Sequence, residues 1–424
     1  MFRSILTVLS GSVIAQLIAI AVLPALTRLY DAEAFGRYQI YLSVLNVAIM
    51  FSAFRYEVAL LGARPGRVLE NLLKVTFRLC IVTGMVAVLV VIVVDLWAPN
   101  VVPSLRAIIF ILPGAMIVAG LYQMLSYVPI RERNYPLSAR SKILQSIGFS
   151  VGALGCAMFS FIGAGLVLAD IFGRVAGSIS ILLRSGKLWR TLISPISFPA
   201  MKFTAVRFKE FGFFTFPGTL LSALGAAVAP FAFLALFNLE VAGQYALVER
   251  FILMPVGIVA VAVSQVFTGE FAKLYRAGKG GGLNGAFRRA LFQLLAIGLL
   301  PTVLGMVFSP SVVPFVFGAD WVMAGKLCAI AFPIAYVRFV ATALTMTLII
   351  IERQSLQFAW ELGRFLFTLL VFGWLGWARI DDPLIVMIWH GLATAVTYAL
   401  QLALADHATK LVNLQVRESE GTVS

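Results

Sequence analysis

The chain has 424 residues, 61% of them hydrophobic and only 12% charged, with a formal net charge of +14. Soluble domains run near a quarter charged, so the composition excludes an ordinary soluble fold and points to a membrane protein. A positive balance of this size also suits nucleic acid, but its distribution between loops, described below, assigns it to a membrane surface.

Twelve apolar stretches are long enough to span a bilayer as helices, since about 20 residues at 1.5 Å rise cross a ~30 Å hydrocarbon core. They lie at 5–26, 38–62, 76–96, 107–128, 142–161, 163–183, 211–236, 244–268, 287–308, 327–351, 358–377 and 384–404. They are too long for strands and lack inside/outside alternation. The expected fold is an all-α polytopic membrane protein of about 12 transmembrane helices.

The first stretch exceeds a signal-peptide core and lacks a small-residue cleavage pattern before "LTRLYD", so it reads as a retained helix. The second sets Arg55, Tyr56 and Glu57 in an otherwise apolar run. Cys80, Cys156 and Cys328 fall in the third, fifth and tenth stretches, with neither disulfide nor metal spacing, and read as small buried hydrophobes. Asp95, next to Trp97 and Pro99, marks an outer interface. The sixth stretch pairs Asp170 with Arg174 at i+4, the eighth opens on Glu249 and Arg250, the tenth holds Arg338, and the eleventh holds Glu361 and Arg364. His390 in the twelfth reads as packed or hydrogen-bonded. "GKGGGLNG" (278–285) is a flexible turn without the spacing of a phosphate loop.

Twelve spans put both ends on one side. The loops on that side, 63–78, 129–142, 184–209 and 269–289, carry most of the basic residues, whereas the opposite loops hold Arg28, Arg37, Arg106, Lys326 and Arg379. The positive-inside rule then places both termini in the cytoplasm. Topogenesis and contact with anionic headgroups account for these loop charges without a ligand.

Arg55, Arg174, Arg250, Arg338 and Arg364 remain, all inside expected spans. A charge at a helix centre costs roughly 2.5–3.5 kcal/mol on insertion scales, so such residues face a bundle interior or a wet cavity. Snorkelling is the competing reading for Arg55, Arg250 and Arg364, near span ends. For Arg174 and Arg338, nearest mid-membrane, it is a structural ion pair. Arg338 has no carboxylate nearby in sequence.

The two halves match at an offset near half the length. "YDAEAFGRYQIY" (30–41) parallels "FNLEVAGQYALV" (237–248), and "PIRERNYPLSARSKILQ" (129–145) parallels "IIIERQSLQFAWELGR" (349–364), with Glu132 and Glu352 in register. This gives an N-terminal six-helix bundle at 1–184, a basic cytoplasmic linker at 185–209, a C-terminal bundle at 210–406 and a tail at 407–424. A parallel repeat of this kind is typical of transporters that alternate between two access states. No HExxH, GxSxG or Cys/His cluster occurs, and the outer loops are short, so an enzyme is not expected.

"GSVIAQLIAIAVLPALTRLYDAEAFGRYQIYLSV" (11–44), with "RYEVALLGAR" (55–64), resembles the opening of the polysaccharide exporters. These are the O-antigen or Wzx-type flippases of the multidrug/oligosaccharidyl-lipid/polysaccharide exporter superfamily. "AGQYALVERFILMPVGIVAVAVSQVF" (242–267) is similar to the family's second-bundle opening. The resemblance implies two pseudo-symmetric bundles around a cationic central cavity. It also implies export of an undecaprenyl-diphosphate-linked sugar unit across a bacterial inner membrane, with arginines at Arg28, Arg55 and Arg250.

With Arg174 and Arg338 these make the expected substrate-binding set, charge-balanced or ion-coupled by Glu57, Asp170, Glu249 and Glu361. Guanidinium suits a diphosphate because it stays charged and offers paired donors. No metal and no cofactor are expected; coupling to a proton or a sodium gradient stays open. Expected partners are a lipid-linked oligosaccharide, membrane lipids, and polymerase and chain-length proteins of a polysaccharide pathway, with no nucleic acid. Two alternatives stay open: an ion-coupled drug or cation antiporter of the same superfamily, whose site should be acidic and aromatic, and a non-transporting scaffold.

Overall fold

The computed structural model describes residues 2–97, 105–159, 163–184, 186–276 and 282–421. Pro99, residues 160–161 of the fifth expected span and residues 278–281 of the glycine-rich turn lie outside these. Among the described residues all regular structure is helical. The chain divides into two compact units, Met1–Pro230 and Phe231–Ser424.

The first unit contains α1 (Phe2–Leu29), α2 (Ala32–Ala53), the single turn α3 (Tyr56–Ala59), α4 (Arg67–Trp97), α5 (Arg106–Arg131), α6 (Tyr135–Met158) and α7 (Gly165–Arg184). Two short helices follow, α8 (Gly186–Ile193) and α9 (Phe198–Arg207), then α10 (Phe216–Leu236), within which the unit boundary falls. The second unit continues with α11 (Leu239–Val248), α12 (Met254–Arg276), α13 (Leu283–Phe317), α14 (Val322–Leu344), α15 (Met346–Ile350), α16 (Gln354–Trp377) and α17 (Pro383–Gly421).

Among the described residues ten helical segments are long and apolar enough to cross a membrane, against the twelve expected. The shortfall lies at α2 and α6, which are long enough at 22 and 24 residues but more polar. Glu33, Arg37 and Gln39 enter α2, and Arg140, Lys142 and Gln145 enter α6.

The repeat is legible in the packing of each unit. In the first, α5 packs against α2, α4 and α7, and α6 against α7; in the second, α14 packs against α12, α13 and α17, and α16 against α17. The caps repeat too. Asp31 Oδ1 accepts from the Ala34 amide at 2.7 Å, and Asn238 Oδ1 from the Val241 amide at 2.9 Å. Such N-caps satisfy one of the orphan donors at a helix start. After α5 and α15 the chain reverses through a left-handed residue, Arg133 (φ 56°) and Glu352 (φ 62°) respectively. The backbone bonds pair Arg133 with Glu352, one residue away from the Glu132–Glu352 register that the sequences suggest.

Close approach of α6 and α7 rests on two small-residue stripes, Gly148/Gly152 and Gly173/Gly177. A Cβ on Gly173 would lie 2.6 Å from the Gln145 carbonyl oxygen, and one on Gly148 2.9 Å from the Ala176 Cβ. Stripes of this kind let backbones approach where lipid supplies no hydrophobic drive between helices.

The stretch expected as a linker packs within the first unit. Leu188 and Leu192 of α8 belong to an apolar cluster with Leu72, Met124 and Ile181. Arg78 Nη2 and Lys74 Nζ of α4 donate to the Ser194 and Pro195 carbonyls at 3.1 and 3.3 Å. The Tyr56 hydroxyl donates to the Ala205 carbonyl at 3.0 Å. At the other end of the chain, α17 runs on to Gly421, well past the expected span end at 404.

Candidate functional site

The α2 helix breaks where the charged residues stand. Phe54 (φ 46°) and Arg55 (φ 65°) are both left-handed without being glycine, at a cost of roughly 1–2 kcal/mol each. In a helix, residues two apart do not face one another. The break brings them together, and Arg55 Nη1 reaches Glu57 Oε1 at 3.3 Å. Glu57 is buried, and Gln123 Nε2 of α5 donates to the same oxygen at 2.9 Å. Tyr127 lies against Arg55, and Arg131 Nη1 donates to the Leu60 carbonyl. Gln123, Tyr127 and Arg131 recur every four residues, so one face of α5 holds the broken segment. Sequence reading missed these three, although their spacing was visible within "LYQMLSYVPIR". Arg55 Nε and Glu57 Oε2 are buried with no protein partner.

Arg174 and Asp170 meet within α7, Nε to Oδ2 at 2.8 Å, and the Tyr41 hydroxyl donates to the same oxygen at 3.1 Å. Tyr38 stacks on Tyr41 and on Phe149, at 6.0 and 5.8 Å between ring centres. The Arg174 guanidinium is therefore enclosed and partnered inside the first unit. Arg28 differs, being exposed at the C-terminal end of α1.

In the second unit, Glu249 and Arg250 open a π-helical segment, Glu249–Leu253, that joins α11 to α12. Pro255 follows two residues beyond it, and Pro217 stands in the same relation to the π segment Phe211–Thr215 before α10. Proline cannot donate to the helical ladder, and one extra residue in the turn accommodates the missing bond. Tyr245, one turn before Glu249, stacks on Phe233 at 4.6 Å.

Folding supplies Arg338 with the carboxylate that its sequence neighbourhood lacks. Glu249 lies within electrostatic reach of Arg338 first and Arg250 second. Arg338 and Arg364 both act on His390, whose ring stacks on Phe372 at 5.4 Å. Arg364 stands 5.4 Å over the Trp360 ring, and its Nε is buried without a partner. The Glu361–Arg364 pairing that their spacing suggests is not made within 4.0 Å; Glu361 accepts from Gln357 Nε2 at 3.4 Å instead. Among the described residues neither Arg338 nor Arg364 has an ion pair within that distance. Arg338 of α14 thus acts both on Glu249 of the π segment, beside Arg250, and on His390 of α17, where Arg364 of α16 acts as well. Among the described residues no group of three His, Cys, Asp or Glu side chains is placed to hold a metal.

The architecture is that of a multi-pass membrane protein with a transporter fold. A solved inward-facing multidrug resistance MATE family transporter of the MOP superfamily is similar over 95% of each chain, with TM-score 0.69 at 14% identity. The lipid II flippase MurJ, in an inward closed conformation, is similar over 98% of this chain and 91% of its own, with TM-score 0.70 at 12% identity. A MOP superfamily transporter from Pyrococcus furiosus, described as having a binding pocket of reverse polarity, gives TM-score 0.57 at 13% identity over 97% of this chain and 96% of its own. No curated protein matches the sequence. At the level of sequence, residues 1–271 match the family described as "Polysaccharide biosynthesis protein", and the chain belongs to that family.

Proposed function

We propose that this protein is a flippase that carries a polyprenyl-diphosphate-linked oligosaccharide from the cytoplasmic to the periplasmic leaflet of a bacterial inner membrane, by alternating access, for cell-surface polysaccharide. The carrying observation is a pair of guanidinium groups in the second unit, Arg338 and Arg364, that both act on His390 and make no ion pair within 4.0 Å among the described residues. Buried charge of one sign is costly without a counter-ion, and a diphosphate is a counter-ion matched to guanidinium forks. Arg338 and Arg364 are its first holders, with Arg250 beside them. Membership in a polysaccharide biosynthesis family supports the substrate class. Arg174 serves instead as a strut, since Asp170 and Tyr41 already engage the pair it forms. Glu57 and Glu249 are the proposed charge-balancing carboxylates, free to exchange partner or proton when the anion leaves. Both termini lie in the cytoplasm on this reading, as the basic loops favour.

The test is flipping in proteoliposomes of a polyprenyl-diphosphate oligosaccharide, with outer-leaflet exposure read by lectin access. Wild type should move the lipid, R338Q and R364Q should lose at least tenfold in rate, and R174Q should act through lowered stability. Transport of organic cations with no lipid movement would replace this reading with a cation antiporter. Movement of neither would leave a scaffold.

A further inference from the structure

The first unit contains a groove that the transport chemistry does not use. It lies between α4, α9 and the π segment Phe211–Thr215, with a volume of about 770 Å³, in the ~300–1,000 Å³ range of small-molecule sites. Its walls are apolar, formed by Val75, Leu79, Val82, Met201 and Phe216 among others. Arg78, Lys202 and Lys209 border it, beside Tyr56, and among the described residues no carboxylate does. Arg78 Nη2 is held by the Ser194 carbonyl, whereas its Nη1 is buried without a protein partner. Phe198 and Phe213 protrude at the rim, 70% and 73% exposed.

Two features place this groove at a lipid interface. Arg78 sits in the first turn of the crossing expected at 76–96, on the basic side. Val82, half exposed, continues onto the outward apolar face of α4 through Met85, Val86 and Leu89. An aqueous metabolite would meet greasy walls there, whereas a lipid tail entering along α4 would meet a matching surface. Basic pockets beside spanning helices on the cytoplasmic side suit anionic headgroups, and exposed aromatics on short interfacial helices suit the acyl boundary.

We propose that this groove is a binding site for an anionic glycerophospholipid of the surrounding leaflet. One acyl chain lies along α4 between Leu79, Val82 and Phe216, and the phosphate is met by Arg78, Lys202 and Lys209. The bound lipid ties α9 to α4 and so braces the Tyr56–Ala205 contact behind the broken segment at Phe54–Arg55. This site does not depend on what the protein transports.

Native mass spectrometry of the delipidated full-length protein, with dioleoylphosphatidylglycerol and dioleoylphosphatidylcholine offered at equal concentration, tests the proposal. Wild type should retain one phosphatidylglycerol in preference to phosphatidylcholine. K202Q and K209Q should each weaken retention about fivefold, which is ~1 kcal/mol per cation near an anionic headgroup. Because R78Q also frees the Ser194 carbonyl, A205W serves as the complementary variant: it fills the groove with every charge in place and should abolish retention. Equal retention of both lipids, or unchanged retention in A205W, would overturn the proposal. Equal stabilisation by inorganic phosphate alone would reduce the site to an anion contact and overturn the groove. Displacement of phosphatidylglycerol by a polyprenyl phosphate at equal concentration would assign the groove to the carrier lipid instead.

Discussion

Gln123 Nε2 donates to Glu57 Oε1 at 2.9 Å, the same oxygen that Arg55 reaches at 3.3 Å. One amide of α5 thus holds the carboxylate that holds the arginine, at a double left-handed break of which Arg55 is the second residue. Breaking a buried pair leaves an uncompensated charge and costs about 3–5 kcal/mol, whereas losing one hydrogen bond to a charged group costs about 1.5–3 kcal/mol. E57A should therefore lower the thermal midpoint in detergent more than Q123L does. The double variant R55L/E57L should recover part of the loss, because no charge is left buried. A larger loss in Q123L than in E57A would place the stability elsewhere.

At Arg338 the shape of the cation matters as well as its sign. A lysine keeps the charge but loses the planar fork that meets a phosphate with two parallel bonds. R338K should retain folding and show lipid-flipping rates between wild type and R338Q, with a loss of about threefold. Flipping rates measured side by side in proteoliposomes check this order.

Pro255 sustains the π segment that carries Glu249 and Arg250. Replacing it with alanine restores a donor to the ladder and permits an ordinary α-helix, which shifts the phase between α11 and α12 by one residue. P255A should raise the thermal midpoint while lowering transport, since the Glu249 carboxylate is turned relative to Arg338. A rise in stability with unchanged transport would show that the π geometry serves packing only.

The α6–α7 contact is set by glycine. With the Gln145 carbonyl oxygen 2.6 Å from a Cβ on Gly173, a side chain there must push the backbones apart. G173L should cost at least the ~1–3 kcal/mol typical of overpacking, whereas G155A, where nothing lies within 4 Å of the added Cβ, should be near neutral. Thermal midpoints of the two variants provide the comparison.

Topology has a direct test. Asp381 is exposed between α16 and α17 and Lys202 on α9; with both termini cytoplasmic, as proposed, the first faces outward and the second the cytoplasm. In intact cells an impermeant maleimide should label D381C and spare K202C, and the reverse result would invert the protein in the membrane.

The sequence alone determined that the chain is helical, membrane-embedded and built twice over. These properties rest on local or summed quantities: run length, charge count, and segments that recur at an offset near half the length. It also picked out Arg55, Glu57, Asp170, Arg174, Glu249, Arg250, Arg338 and Arg364, because any charge is conspicuous in an apolar run. Partnership was legible only where a partner lay one turn away, as for Arg174 and Asp170, and even that rule misled at Glu361 and Arg364. Tertiary structure decided the rest. It gave Arg338 its carboxylate from the π segment after α11, used the left-handed break to turn Arg55 back on Glu57, and closed the α5 face of Gln123, Tyr127 and Arg131 over both. Such contacts depend on the relative rotation of helices far apart in the chain, set by close packing and by breaks at Phe54 and Pro255, and helical periodicity says nothing of that rotation.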